Sequence, residues 1–395
     1  MGARIVLGLG NNIDYEIAWN SQVFEQLIVE HGIVASELGT NKLIGSTRDL
    51  VVSILGFLQS ETGGERFVTS SQIILDFARL FQYKITLGGT SVRAAIAMRK
   101  LGHTSALHLV TMNDHVRQLI PPDSAWVCSN DQERSYPHLI VQFCKNTCVR
   151  AGDISIRTQQ SNRIIYTNDD DNLVMELAPG LASLAAEARV FLISGFNAMQ
   201  SSALLAARLA TLLEVIASLP AEAIVFYEDA CFHEPALSAQ VHQALCDVID
   251  IYSLNENELQ EYLGRPISLL EAGEVHAALK DLARLISVPV FVIHTQYWAL
   301  AFGSQAGRYA KALKGGVTMA TTRFRCGDDF TPADYWETER LPAQAEGANF
   351  AAALNNLAGD LVCCVPVVQV KETNVTTIGL GDAFVGGFLP ALVEK

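Results

Sequence analysis

The sequence predicts an α/β fold with a mostly parallel central sheet and a smaller lid domain, and two patterns indicate it. Short apolar runs alternate with amphipathic helical segments along most of the chain. Two stretches, 13–80 and 128–180, interrupt this alternation. Runs rich in Val, Ile, Leu and Phe are typical of buried parallel strands, and their alternation with helices is typical of a sheet covered by helices on its faces.

The predicted elements follow from the periodicity of the apolar residues. Apolar runs predict strands at 4–10, 105–110, 189–194, 223–227, 248–253, 288–294 and 361–367. Apolar residues three to four positions apart predict helices at 90–101, 200–219, 234–248, 256–263, 273–286 and 347–358. Two further strands, 136–144 and 163–168, have no helix between them, which indicates a small antiparallel or mixed layer. We therefore assign a large domain to 1–12, 81–127 and 181–395, and a lid domain to part of 13–80 and to 128–180.

The amino-acid composition and charge exclude some classes of protein. The 395 residues are 50% hydrophobic, which excludes global disorder, and 42 Asp and Glu against 28 Lys and Arg give a net charge of −14. This balance argues against a general nucleic-acid binder. No apolar run is long enough for a membrane helix, and the N-terminus lacks a signal peptide. The eight cysteines form no C-x-x-C pair. We expect a cytoplasmic protein with no membrane and no nucleic-acid partner.

Polar residues follow the carboxyl ends of several predicted strands. They are Asn12, Asp14, Glu228, Asn255, Glu258 and His294. Ligands of open parallel sheets bind at that edge, so we expect these side chains to converge on one cleft. For any one of them, a turn or a helix cap is the alternative.

A glycine-rich segment near the C-terminus predicts an anion site. Gly379 and Gly381 permit a tight turn, and an apolar helical run begins at Asp382. Exposed N–H groups at a helix start, together with the helix dipole, attract phosphate. A carboxylate beside such a site can take a proton from a hydroxyl that attacks phosphorus. The alternative for Asp382 is an N-cap.

These motifs resemble those of a known family. The segment 377–384 resembles the G-x-G-D signature of ribokinase-like sugar kinases, 87–90 their upstream Gly-Gly element, and 255–258 their N-x-x-E motif. The order and spacing of further short segments, between about residues 10 and 390, resemble the ADP-dependent glucokinase/phosphofructokinase branch. Those segments are Asn12-Ile13-Asp14, 136–140, 161–165, 193–197, 253–256, His294-Thr295 and 367–371.

The resemblance implies a ribokinase-like three-layer α/β/α architecture and a Mg²⁺-dependent transfer of a phosphoryl group from ADP to a sugar or sugar-phosphate hydroxyl, of the glucose or fructose 6-phosphate type. Asp382 would be the general base. The backbone N–H groups of Gly379, Leu380, Gly381 and Asp382 would form the anion hole. Arg163 would reach a phosphate as a planar cation, or simply lie on a strand surface.

The other site residues fall into three groups, each with an alternative. Glu228 and Glu258 would surround Mg²⁺, or serve as a loop carboxylate and a first-turn helix acid. The nucleotide would contact Asn255, His294 and Thr377, with helix capping as the alternative for Asn255. The sugar would contact Asn12, Asp14, Gly88, Gly89 and His138; turns and a structural histidine are the alternatives.

The sequence differs from the typical motifs of this family at three places, so we also consider other functions. Phe226 replaces the histidine of a His-x-Glu element, Ala383-Phe384 follows Asp382 as in ATP-using relatives, and Arg93 stands where many ribokinases have Asn. The first alternative is an ATP-dependent ribokinase-type kinase for a carbohydrate or nucleoside. The second is a non-catalytic regulator that binds a sugar or nucleotide. Either a monomer or a homodimer fits the sequence.

Overall fold

The computed structural model describes residues 4–130, 132–372 and 375–394. Its strands are β1 (Ile5–Leu7), β2 (Asn12–Ile17), β3 (Gly64–Phe67), β4 (Tyr83–Gly88), β5 (Ala106–Leu109), β6 (Ala125–Cys128), β7 (His138–Phe143), β8 (Cys148–Ala151), β9 (Ile154–Arg157), β10 (Asn162–Thr167), β11 (Val190–Ile193), β12 (Ile224–Glu228), β13 (Ile251–Asn255), β14 (Val290–His294), β15 (Trp298–Gly303) and β16 (Val362–Pro366).

The helices lie between these strands. They are α1 (Ser21–His31), α2 (Thr47–Ser60), α3 (Ser71–Ala78), α4 (Thr90–Lys100), α5 (Asp114–Leu119), α6 (Asp170–Val174), α7 (Leu181–Ala185), α8 (Ser202–Ala217), α9 (Pro235–Leu245), α10 (Glu256–Leu263), α11 (Ala272–Leu285), α12 (Ala310–Cys326), α13 (Pro332–Glu339), α14 (Ala345–Ala358), α15 (Leu380–Phe388) and α16 (Pro390–Val393). Over the described ranges, none of these helices has both the length and the apolar character that crossing a membrane requires.

A nine-stranded sheet organises the large layer, in the order β16-β15-β14-β13-β12-β11-β1-β5-β6 within the described residues. The strands from β14 to β6 pair in parallel, and β15 pairs antiparallel with both β14 and β16. One face of the sheet packs against α8, α9, α10, α11 and α14, and the other against α4, α12 and α15. This arrangement confirms the predicted three layers and the mostly parallel sheet.

The lid is built on a five-stranded mixed sheet, in the order β3-β10-β7-β2-β4 within the described residues. The two predicted lid strands correspond to β7 and β10, which pair antiparallel as expected. The boundary at residue 81 was wrong, because β4 pairs antiparallel with β2 along its whole length. The segment 83–88 therefore belongs to the lid sheet and not to the large layer. The stretch 13–80 also contains three regular helices, α1 to α3, that pack on the lid core.

The lid sheet has two different faces because side chains alternate along each strand. One face, including Leu139 and Val141 of β7, packs with α1 to α3 and with the β8–β9 hairpin in an apolar core. The opposite face, which we term the cleft face, is polar and lies toward the large layer. Its side chains include Asn12, Asp14, Glu16, Glu65, Thr86, His138, Gln142 and Arg163.

Helix α15 is fixed between α4 and α12 by close backbone contact. A Cβ added at Gly387 would lie 2.3 Å from the Gly315 carbonyl oxygen of α12, and one at Gly386 would lie 2.8 Å from the Ala94 carbonyl oxygen of α4. Only glycine permits such approach. The start of α15 therefore occupies a fixed position at the carboxyl edge of the large sheet.

Candidate active site

The start of α15 has the backbone geometry on which the predicted anion site depends. The helix begins at Leu380, two residues earlier than the periodicity suggested, and Gly379 is its N-cap in the left-handed conformation with φ 64°. The first helical bond runs from the Ala383 N–H to the Gly379 carbonyl, at 3.0 Å. The N–H groups of Leu380, Gly381 and Asp382 precede it and have no acceptor within the helix, so they are available to phosphate oxygens.

Two buried arginines flank this turn. A Cβ at Gly379 would lie 2.9 Å from Arg93 Nη1 and 3.2 Å from Arg323 Nε, and the left-handed φ of 64° favours glycine at this position. Arg323 Nε donates to the Ile378 carbonyl oxygen at 2.7 Å. Both side chains are largely buried. Their charges strengthen the positive potential of the helix start.

Asp382 lies in the first turn of α15 with its carboxylate open to the cleft. Its side chain is 22% exposed, and Arg93 Nε lies 3.8 Å from Oδ2. The N-cap alternative for Asp382 is wrong, because Gly379 occupies that position. The carboxylate therefore does not serve as the N-cap of α15, and its role as the general base stays a prediction.

The lid side presents Asn12, Asp14 and Gly88 to the same cleft. Asn12 Nδ2 donates to Asp14 Oδ1 at 2.5 Å, and Arg93 Nη2 donates to Asp14 Oδ2 at 2.6 Å. A Cβ at Gly88 would lie 2.3 Å from Asn12 Nδ2, so this position requires glycine. Burial raises the pKa of Asp14, although the charge of Arg93 opposes this shift.

The second predicted glycine, Gly89, lies just outside the polar cluster. It caps α4 with φ 89°, and a Cβ there would lie 2.8 Å from the Gly10 carbonyl oxygen. The turn alternative accounts for this geometry. Its role in sugar binding stays a prediction.

His138 lies beside Asp14 on the cleft face, because the two residues are partners in the β2–β7 ladder. Its Nε2 donates to Asp169 Oδ2 at 3.1 Å. Burial lowers the pKa of His138, but the hydrogen bond to Asp169 and the charges of Asp169, Asp14 and Glu65 outweigh burial and raise it. His138 is therefore both held by Asp169 and placed at the predicted sugar site.

Gln142 connects two of the predicted site residues, because Thr377 donates a hydrogen bond to it and Arg163 is its partner on the neighbouring strand. The Thr377 N–H donates to Gln142 Oε1 at 2.9 Å, and Arg163 is the ladder partner of Gln142. The Arg163 guanidinium has no hydrogen-bond or ion-pair partner within the described part of the chain, whereas the Arg163 backbone N–H donates to Asn162 Oδ1 at 2.9 Å. Sequence reasoning missed Gln142, although it shares the face of His138 four residues away along an alternating strand.

Glu228 and His294 form a pair at the ends of β12 and β14. His294 Nε2 donates to Glu228 Oε1 at 3.1 Å, and Glu228 Oε2 is buried with no partner among the described residues. Burial lowers the pKa of His294, but Glu228 outweighs burial and raises it. The His294 ring lies 3.4 Å from where a Cβ at Gly381 would be, so it borders the anion site.

Asn255 and Glu258 form a capping box at the start of α10. Asn255 Oδ1 accepts from the N–H groups of Asn257 and Glu258, and Glu258 accepts from the Asn255 backbone and amide at 2.6 and 2.8 Å. Both residues therefore cap helix α10, which was the alternative role that the sequence offered for them. Within the described residues, no cluster of three or more His, Cys, Asp or Glu has a geometry that could hold a metal.

A buried network adjoins these carboxylates and was not predicted. Asp229 Oδ2 accepts from the hydroxyls of Tyr252, at 2.7 Å, and of Tyr262. His242 in turn contacts both hydroxyls, at 2.7 and 3.1 Å. Burial raises the pKa of Asp229 to about 6. The network holds the loop after β12 beside Glu228.

Solved structures share this architecture across the whole chain. A phosphofructokinase from Pyrococcus horikoshii OT3 with AMP superposes with a TM-score of 0.75 at 18% identity, covering 99% of this chain and 98% of that one. An ADP-dependent kinase complex with fructose 6-phosphate and ADPβS gives 0.74 at 12% identity, with coverages of 99% and 94%. An adenosine kinase from Trypanosoma brucei brucei gives 0.53 at 14%, with 100% and 94% covered. No curated protein sequence matches the chain.

The fold and the cleft together define a small-molecule kinase with a ribokinase-like architecture, as the sequence predicted. The model of one family, described as the ADP-specific phosphofructokinase/glucokinase conserved region, matches residues 3–389. The chain belongs to this family and is an ADP-dependent sugar kinase.

Proposed function

We propose that the protein transfers the β-phosphoryl group of ADP to a sugar hydroxyl, with Asp382 as the general base and AMP as the leaving group. The observation that carries this proposal is the position of the Asp382 carboxylate. It lies beside the unbonded N–H groups of α15, and Arg93 joins it to Asp14 on the lid. Asp382 would take the proton of the hydroxyl while its oxygen attacks phosphorus. The N–H groups would stabilise the charge on the transferring group.

The charges of the cleft face favour a neutral sugar over a sugar phosphate. Carboxylates of Asp14, Glu16 and Glu65 lie on this face, and Glu65 is close enough to His138 to raise its pKa. These carboxylates already pair with Arg93, Lys84 and His233, so among the described residues named on this face only the Arg163 guanidinium is left to meet a second phosphate. Two further lid arginines, Arg150 and Arg157, lie on the β8–β9 hairpin on the opposite side of the lid sheet and do not add to the charge of the cleft face.

Sugar hydroxyls have suitable partners on the same face. Asn12 and Asp14 offer both donors and acceptors within a buried cluster, and Gly88 lets a ligand approach the backbone. His138, held by Asp169, offers its second ring nitrogen. We therefore propose a hexose such as glucose as the acceptor.

Magnesium fits the nucleotide side of the cleft. Glu228 Oε2 is a buried carboxylate oxygen without a partner among the described residues, and Mg²⁺ uses one or two carboxylates together with waters and phosphate oxygens. Glu228 would hold the ion directly, whereas both oxygens of Glu258 already accept from Asn255. When bound, Mg²⁺ would draw charge from the phosphoryl oxygens.

The test is an assay of AMP and sugar-phosphate formation with ADP or ATP, with and without Mg²⁺, on glucose and fructose 6-phosphate. We expect transfer from ADP to glucose that requires Mg²⁺. Asp382→Asn should lower kcat about 10²- to 10⁴-fold at nearly unchanged sugar affinity. Asp360→Asn, at an exposed carboxylate of the large layer, is the matched control and should behave as the unmodified protein.

Each other result points to a different conclusion. Transfer from ATP alone would overturn the donor, and a preference for fructose 6-phosphate would overturn the acceptor. Nucleotide binding without any product would favour the regulator. An Asp382→Asn variant that keeps more than a tenth of kcat would refute the assignment of the base.

A further inference from the structure

Gln142 connects the lid to the loop in front of the anion site, which we term the 375–379 loop. Its Oε1 accepts from the Thr377 N–H at 2.9 Å and from the hydroxyls of Thr376 and Thr377 at 3.2 Å each. Its Nε2 donates to the Val375 carbonyl oxygen at 3.5 Å. Within the described residues, the hydrogen bonds between the lid sheet and this loop all pass through Gln142.

The large layer holds the same loop from the other side. The Thr376 N–H donates to the Phe324 carbonyl oxygen at 3.1 Å, and Arg323 Nε donates to the Ile378 carbonyl oxygen at 2.7 Å. These bonds do not depend on the lid. If the lid moves away, the loop would keep these two bonds to the large layer and would lose the four that end on Gln142.

The three donors exceed what a single carbonyl oxygen can accept. An amide oxygen has two lone pairs, so one threonine hydroxyl can turn toward a ligand while the other two donors remain bound. Such a hydroxyl would point into the space in front of Gly379 and the start of α15. Gln142 thus orders the loop and leaves it a donor for phosphate.

We propose that Gln142 is a positioning residue that couples closure of the lid to the arrangement of the 375–379 loop. The inference rests on the proposed function, because the loop borders the proposed phosphate site. The ladder partner of Gln142 is Arg163, so the same movement of β7 and β10 brings a cation toward the phosphate. Phosphoryl transfer then becomes efficient only when the lid covers the acceptor and excludes water.

The test compares Gln142→Leu with the unmodified protein. Leucine has a similar size but cannot accept the three bonds. We expect kcat to fall about tenfold to a hundredfold, whereas the dissociation constant of the sugar alone stays within twofold. Gln22→Leu, at an exposed position of α1 in the lid, is the matched control and should change neither quantity.

Two further measurements separate this role from a general loss of structure. Hydrogen exchange at the 375–378 amides with sugar and the donor analogue ADPβS bound should be about tenfold faster in Gln142→Leu, with no change in the large sheet. Thr376→Val, which removes one donor, should lower kcat, and its effect combined with Gln142→Leu should be less than multiplicative.

The outcomes distinguish this inference from the proposed function. An unmodified protein without kinase activity would refute the proposed function, and the exchange measurement would still decide whether Gln142 orders the loop. With an active protein, the inference is overturned if loop exchange and kcat of Gln142→Leu both stay within twofold. Strictly multiplicative effects of Gln142→Leu and Thr376→Val would also overturn it.

Discussion

Replacing Arg93 with methionine would remove a side chain that contacts both halves of the cleft, while keeping its length. Arg93 is buried, with Nη2 at 2.6 Å from Asp14 Oδ2 and 3.3 Å from Glu16 Oε1. In Arg93→Met, Glu16 would keep its ion pair with Lys84, at 2.9 Å, and the hydrogen bond from the hydroxyl of Thr86, at 2.6 Å. The unpaired charge therefore falls on Asp14.

The magnitude follows from the burial of that carboxylate. Asp14 is 3% exposed and would retain only the 2.5 Å bond from Asn12. Removing one partner of a buried ion pair costs about 3–5 kcal/mol, because the remaining charge is left without compensation. Asn12 still satisfies one oxygen, so we expect about 3 kcal/mol of lost unfolding free energy in Arg93→Met.

Urea unfolding followed by circular dichroism measures this loss. Arg99→Met is the matched control, since Arg99 lies on the same helix in an ion pair with Asp123 whose side chains are 42% and 41% exposed. Exposed pairs contribute about 0–1 kcal/mol. Removing both buried charges, in Arg93→Met with Asp14→Asn, should restore most of the stability. A loss below about 1 kcal/mol for Arg93→Met alone, or no recovery in the double variant, would refute the reasoning.

Two further changes probe the large layer. Gly387→Ala places a Cβ 2.3 Å from the Gly315 carbonyl oxygen, and we expect it to lower the free energy of unfolding in urea by about 3 kcal/mol. Gly273→Ala is the control, because a Cβ there meets no atom within 4 Å, and it should not lower this free energy. Equal effects of the two substitutions would contradict the contact. Burial raises the pKa of Asp229 to about 6, so folding favours the protonated form of this residue. The protonated form therefore stabilises the folded protein fully below pH about 4, and this contribution is lost as the pH rises through 6. Relative to Asp229→Asn, the unfolding free energy should fall by about 2–3 kcal/mol over that range, and a flat difference would argue against the shift.

Much of the large layer could be predicted because its strands are continuous apolar runs. All seven predicted strands are present in the nine-stranded sheet. Several elements were missed, among them the strands β6 and β15 and the helix α12. Helix α12 contains adjacent glycines and several threonines, which lower helix propensity, and it forms because Gly315 and Gly316 pack closely against α15. Strand β15, which lies between β14 and β16 in the sheet, follows β14 after a short turn, just beyond the end of the predicted apolar run.

The site could be predicted in part from its motifs. The G-x-G-D segment predicted a helix start with Asp382 beside it, and the residues after β1 predicted the polar lid cluster. The contact of Arg93 with Asp14 could not be found this way, because it joins positions 79 apart on different layers. Alternation along β7 could have revealed Gln142, since it shares the face of His138.

The glycine contacts of α15 also bear on how this enzyme could be redesigned. Where two helices touch through their backbones, no layer of side chains exists that could be exchanged to move one relative to the other. The end of the cleft at the start of α15, where the phosphoryl donor is proposed to bind, is thus fixed in position. The polar face of the lid sheet, whose side chains are not held between backbones, is the surface on which new acceptors could be accommodated.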